Sequence, residues 1–294
     1  MIWIYLIIFA QFLNAIVTLV DKYLVTSALI GKPVVYTFYI GALSGVAILL
    51  LPFGVVLAPT MTVLWLSFVA GVSYIFSILF LYKSLKLSDA SDVAPAFGAV
   101  NAIATFGFSF VFLGGSLTGN FLYGFILLVI GTFVTSYFHL TKKATLFLII
   151  AGALFGFSTV FLKELFSQTT FWNGFFWSRL ANVLGVALIF LWSNNAKAIL
   201  ENIKTSSMGT KTAVVANKVI AGFAFLMILY AIKLGDVSVV SALTGIQFAF
   251  LLLLTVLFSG RFPKYFYEAT HYHAILRKLV AAIFIIAGLA LLFL

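Results

Sequence analysis

The hexapeptide Lys86-Leu87-Ser88-Asp89-Ala90-Ser91 returns later in the chain as Lys233-Leu234-Gly235-Asp236-Val237-Ser238. Each copy is a polar break between two long apolar runs, and each is followed at the same spacing by a glycine, Gly98 and Gly245. Upstream, Leu13-Asn14-Ala15-Ile16-Val17-Thr18 lies over Leu154-Phe155-Gly156-Phe157-Ser158-Thr159, which sets Lys22 on Lys163. Between these matches, Gly45-Val46-Ala47-Ile48-Leu49 falls on Gly185-Val186-Ala187-Leu188-Ile189. Apolar segments align easily, but three matches in one order, carrying the same Lys and Asp landmarks, predict an internal duplication. Its halves are residues 1–143 and 144–294.

The rest of the chain sets the solvent in which this duplication folds. Of 294 residues, 64% are hydrophobic and 8% charged, against roughly 45–50% and about 25% in soluble domains. Mean hydropathy is +1.22. These values exclude an ordinary soluble enzyme and a disordered chain, and predict a polytopic membrane protein. A spanning helix needs about 20 mostly apolar residues. Cutting at charges, prolines and polar clusters yields ten all-α spans: 2–21, 33–57, 61–82, 92–113, 119–138, 145–163, 171–192, 212–232, 236–258 and 274–294. The runs are continuous, not alternating, so a β-barrel is excluded. The first run has no basic leader and reads as a retained span rather than a signal peptide. In 193–211, Ala196, Ile199, Leu200 and Ile203 recur at helical spacing beside Lys197, Glu201 and Lys204, which predicts a short interfacial helix. In 259–273, Tyr265, Phe266, Tyr267 and Tyr272 suit the membrane–water boundary.

Five spans per half have a topological consequence. The second half enters the membrane from the opposite side, so the expected fold is two inverted five-helix repeats. Such repeats place a solute path at their interface and work by alternating access.

The chain resembles the drug/metabolite transporter superfamily in its EamA-like ten-helix branch. The resemblance is carried by Tyr82, by Leu87-Ser88-Asp89-Ala90-Ser91, by Pro95 opening the fourth span, by Leu113-Gly114 and Leu117-Thr118, and by Gly124 and Gly131. It is echoed by Tyr230, Gly235-Asp236-Val237-Ser238 and Ser259-Gly260-Arg261-Phe262. Arg179 matches an arginine common in the second helix of such repeats. The high Phe, Ile and Lys usage points to a prokaryotic source and so to the inner membrane; the resemblance implies a carrier for small metabolites or drugs, often an exporter. Two features depart from it: the family's Glu after Leu-Gly is here Gly115, with Gly260 in the other half, and Pro95 is matched by Ala242.

The formal charge of +10 reads as topology and headgroup contact, not nucleic-acid binding. Loops after odd spans hold Lys22, Lys32, Lys83, Lys86, Lys142, Lys143, Lys197, Lys204, Lys211, Arg261, Lys264, Arg277 and Lys278, against Lys163 and Lys233 on the other side. By this bias both termini lie outside; the resemblance puts both inside.

Ionisable groups within spans cost roughly 2.5–3.5 kcal/mol and are site candidates. Arg179 lies about 12 Å into its span at 1.5 Å per residue. It is either the anchor of a substrate carboxylate or phosphate, or a structural arginine on backbone carbonyls at a helix break. Lys218 is a second candidate, unless it snorkels to the interface; Lys22 and Lys163, at span ends, carry the same pair of readings. Asn14, Asn101 and Gln247 lie mid-span, lining a wet path or bonding helix to helix. Tyr82 and Trp177 complete the candidate substrate-binding set. No carboxylate reads as mid-span, which disfavours a proton antiporter for cationic drugs. Gly41-x-x-x-Gly45 and Gly152-x-x-x-Gly156 predict close helix approach.

Catalytic constellations are lacking. The chain has no cysteine, and His271-x-His273 with Glu268 is too thin for a metal site. No phosphate-binding loop occurs. The expectation is a secondary transporter, not an enzyme, with no cofactor. It acts as a monomer or homodimer and moves an amino acid or organic acid, in the outward direction that the resemblance implies. The alternatives are a flippase for a lipid-linked substrate and a non-transporting membrane scaffold.

Overall fold

A computed structural model describes residues 2–26, 32–88, 90–114, 119–135, 140–205 and 207–259, with isolated helical positions between 280 and 291. Every regular element among the described residues is helical: α1 (Ile2–Thr26), α2 (Pro33–Ser44), α3 (Met61–Leu87), α4 (Ala90–Leu113), α5 (Asn120–Thr135), α6 (Lys142–Gln168), α7 (Phe171–Phe190), α8 (Ser193–Thr205), α9 (Met208–Leu234), α10 (Val237–Ala242) and α11 (Ile246–Ser259). Among the described residues, seven helical segments are long and apolar enough to cross a membrane, and two shorter apolar helices, Leu122–Gly131 and Val237–Leu251, accompany them. The chain is thus a polytopic helical membrane protein. The expected tenth span, 274–294, lies almost wholly outside the described residues. Of its positions, Gly288 touches α5 at Gly124 and Leu128.

Helix starts follow side-chain chemistry. Thr60, Thr141, Thr170 and Ser207 each accept a hydrogen bond from the backbone N–H three residues on, at 3.2, 3.2, 3.4 and 3.2 Å. Asp236 does the same for Ser238 and Val239 at 2.8 and 3.1 Å. These groups satisfy donors that a helix leaves orphaned. Two expected spans are not uniform. The second is α-helical only to Ser44 and continues as a 3₁₀ stretch, Gly45–Phe53, closed by Gly54 at φ +66°. The ninth is interrupted by a 3₁₀ turn, Leu243–Gly245.

The centre of the bundle is α3 against α6, flanked by α4 and α7. Three serines stitch the central pair: Ser77 Oγ donates to the Ala151 carbonyl (2.8 Å), Ser84 Oγ to Ala144 (3.0 Å) and Ser158 Oγ to Ala70 (2.8 Å). Both Gly-x-x-x-Gly motifs serve contacts inside the chain. Gly152 and Gly156 press α6 on α4, where a Cβ on Gly156 would stand 2.7 Å from the Thr105 nitrogen; Gly41 and Gly45 bring α2 onto α7. The short helix expected within 193–211 forms: α8 buries Ala198 and Ile199, while Leu200 and Ile203 of the expected apolar face are exposed.

Candidate substrate-binding site

Asp21 is the feature that the sequence concealed. The expected first span ended at it, yet α1 continues to Thr26 and Asp21 is buried. Four groups converge there. Lys218 Nζ of α9 donates to both carboxylate oxygens, at 2.8 and 2.9 Å. Tyr82 Oη of α3 donates to Oδ2 at 2.8 Å. Asn217 Nδ2 of α9 donates to Oδ1 at 2.6 Å. Tyr36 Oη of α2 also donates to Oδ1. Lys218 Nζ further stands 4.4 Å from the Tyr36 ring centroid and 5.9 Å from that of Tyr82. A buried carboxylate must be paired and hydrogen-bonded, and this one is saturated. Asp21 still ends the candidate span Ile2–Asp21, as expected, but it is buried rather than exposed to water. A buried carboxylate at a span end removes the argument made against proton coupling. Lys218 does not snorkel; it ends on a buried anion.

Arg179 of α7 is 7% exposed. Its guanidinium lies 4.8 Å from the Phe225 ring, 5.5 Å from Tyr74 and 5.6 Å from Phe175. With the Asn182 amide turned as its hydrogen bonds require, Asn182 Oδ1 accepts from Arg179 Nη1 (3.1 Å) and Ser44 Oγ (3.2 Å), while its nitrogen donates to the carbonyls of Ser178 and Gly71. Arg179 Nε is buried with no acceptor, and no carboxylate pairs with the guanidinium among the described residues. This is an uncompensated cation held by an amide and three aromatic faces, not an arginine tied to backbone carbonyls.

Tyr74 and Phe225, which wall Arg179, also line a narrow central cavity with Asn101, Phe155, Ser158 and Ser241. Its free volume admits about one water molecule. Asn101 is buried there and accepts from Thr105 Oγ1 at 3.2 Å. Asn14 and Gln247 form a separate cluster between α1 and α11. Gln247 Nε2 donates to Thr18 Oγ1 (2.6 Å) and the Asn14 carbonyl (3.3 Å), and Asn14 donates to Gln11 Oε1 (3.2 Å). Gln11 Nε2 is a second buried donor with no acceptor.

The remaining candidates stand apart. Lys163 donates to the carbonyls of Lys233 (3.1 Å) and Gly235 (2.8 Å), closing the C-terminus of α9, where a cation is favoured. Trp177 Nε1 donates to the Leu57 carbonyl at 3.2 Å. The Lys22 side chain, and His271, His273 and Glu268, lie outside the described residues. Of the sequence candidates, the fold thus joins Lys218 with Tyr82, joins Asn14 with Gln247, and sets Asn101 near Arg179. It adds Asp21, Tyr36, Tyr74 and Asn182.

No family model and no curated protein matches the chain. It is similar to a solved structure called only "Crystal structure of protein", over 99% of this chain and 94% of that one, at 19% identity and a TM-score of 0.63. The likeness is one of fold.

Proposed function

We propose that this chain is a ten-helix secondary carrier of the EamA-like kind, built as two inverted five-helix repeats, which moves a small carboxylate-bearing metabolite across the membrane by alternating access. Helix contacts support the repeat. The sequence alignment sets α1 on α6, α3 on α9 and α4 on α10 and α11. In keeping with it, α1 runs against α9 and α11, and α6 runs against α3 and α4. The cavity draws its walls from both halves, as a path at a repeat interface requires.

Arg179 carries the functional reading. A buried guanidinium that has no counter-anion among the described residues, and whose Nε has no acceptor there, is costly to keep. A solute carboxylate supplies both the missing charge and the missing acceptor, in the forked geometry that guanidinium favours. Tyr74 and Phe225 border both the guanidinium and the cavity, so a solute that reaches Arg179 once the cavity has widened passes these two rings.

The test is counterflow. Protein in liposomes is loaded with a mixed metabolite pool, and mass spectrometry follows which solutes exchange. Selective exchange of carboxylates, lost in Arg179→Ala and impaired in Arg179→Lys, is expected. Exchange that survives Arg179→Ala with its preference intact overturns the reading.

A further inference from the structure

The cage around Asp21 is assembled unequally by the two halves. α1, α2 and α3 supply the carboxylate and both tyrosine rings, and α9 supplies the cation inside. A carboxylate beside two aromatic faces is the chemistry that selects an alkylammonium ion. Here the ion is the tip of the protein's own side chain on a flexible four-carbon stem.

The fold does not demand an ion pair at this contact. Apolar residues of similar volume serve a buried contact as well or better, and the repeat makes that exchange. Aligned with Asp21, Tyr36 and Tyr82 are Leu162, Phe176 and Leu229; aligned with Asn217 and Lys218 are Ala70 and Gly71. All five are buried. Gly71 lets α3 close on α7, where a Cβ would come within 2.6 Å of Ala181 Cβ. At the equivalent place Lys218 fills the space between α9 and α2, and those two helices meet at few residues. One end is sealed by dry packing and the other by a carboxylate and an ammonium group, which water or a solute can separate.

We propose that the Asp21 cage is an ammonium-binding site of the transport path, in which Lys218 is the resident ligand and the ammonium group of a zwitterionic solute is the exchanging one. The inference rests on the carrier reading and narrows its substrate class from carboxylates to amino acids: carboxylate on Arg179, ammonium on Asp21. Tyr74 of α3 lies against Arg179 and lines the cavity, and Tyr82 of the same helix holds Asp21, so α3 borders both sites. When α9 parts from α1, α2 and α3, Lys218 leaves with it into the opened, hydrated space. A solute ammonium then finds the same two oxygens and the same two rings.

Two measurements test this. In the first, thermal unfolding of purified Lys218→Ala is followed with n-butylammonium chloride, sodium butyrate and sodium chloride at equal ionic strength. A saturable rise in Tm with butylammonium alone, absent from Asp21→Asn/Lys218→Ala, is expected. The same rise with sodium chloride, or in the double variant, overturns the cage. In the second, which needs only protein with Lys218 in place, counterflow compares a labelled amino-acid pool with deaminated acids bearing the same side chains. Amino acids are expected to exchange about tenfold faster, with the preference shrinking to about twofold or less in Asp21→Asn. Deaminated acids that exchange equally well, still dependent on Arg179, overturn the ammonium site and leave the carrier reading standing. No exchange of either pool overturns the carrier reading, and with it the transport role of the cage.

Discussion

Replacing Lys218 by Met keeps the stem of the side chain and removes its charge. The side chains of Lys218 and Asp21 are 8% and 10% exposed, so this is not a surface pair worth about 0–1 kcal/mol. Breaking a buried pair from one side costs about 3–5 kcal/mol, because the other charge is stranded. Asp21 retains Tyr36, Tyr82 and Asn217 as donors, which places the expected loss near the lower end, about 3 kcal/mol. Asp21→Asn strands the ammonium group instead, at a similar cost. In the double variant no charge is stranded, so the two losses are not additive, and the cycle should return a coupling of about 2–4 kcal/mol. Reversible SDS-induced unfolding in mixed micelles, followed by tryptophan fluorescence, reads all four proteins. Single variants within about 1 kcal/mol of the parent, or a coupling below about 0.5 kcal/mol, would mean that water reaches Asp21. The burial argument would then be refuted.

Four further outcomes are expected. Glu201→Gln should change stability by less than about 0.5 kcal/mol in the same unfolding assay, because its contact with Lys32 is long, 3.9 Å, and open to solvent, at 71% and 56% exposed. Gly71→Val should destabilise by about 1–3 kcal/mol, since Ala181 and the Asn182 backbone nitrogen leave no room; calorimetry in micelles measures it, and an unchanged melting profile contradicts the close approach. Lys163→Met removes two charge-assisted bonds to the end of α9 and should cost about 1–3 kcal/mol, with faster hydrogen exchange at 231–236 as its local signature. Ser207→Ala should cost about 1 kcal/mol through loss of the α9 cap, seen as fraying of 208–211 by the same method.

The sequence was legible where physics is local. Charges and prolines mark span ends because both are costly within apolar helix, and Thr or Ser before a run marks a cap. Arg179 was found by counting from the start of its run, since depth along a helix needs no knowledge of neighbours. The short helix α8 followed from its spacing of apolar residues. Asp21 was missed for the converse reason. Cutting spans at the first charged residue assumes that charge means water, and Asp21 is solvated by Lys218, 197 residues away. Nothing within reach of Asp21 along the chain announces that partner. Tyr36 was equally hidden, one phenol among 12 tyrosines and 34 phenylalanines, whereas Tyr82 stood among the sequence candidates. Tertiary pairing of polar groups is a property of the bundle, and one sequence read alone carries it only through the repeat.

The 3₁₀ stretch Gly45–Phe53 makes the second span a matter of length. Its nine residues reach about 18 Å at 2.0 Å per residue, against about 13.5 Å in α geometry. With α2 ahead of it, the segment covers about 36 Å, some 4–5 Å more than an α-helix of the same residues. That surplus is about the difference in hydrocarbon thickness between membranes of different composition. The reach of the second span is thus set by its hydrogen-bond pattern as well as by its number of residues.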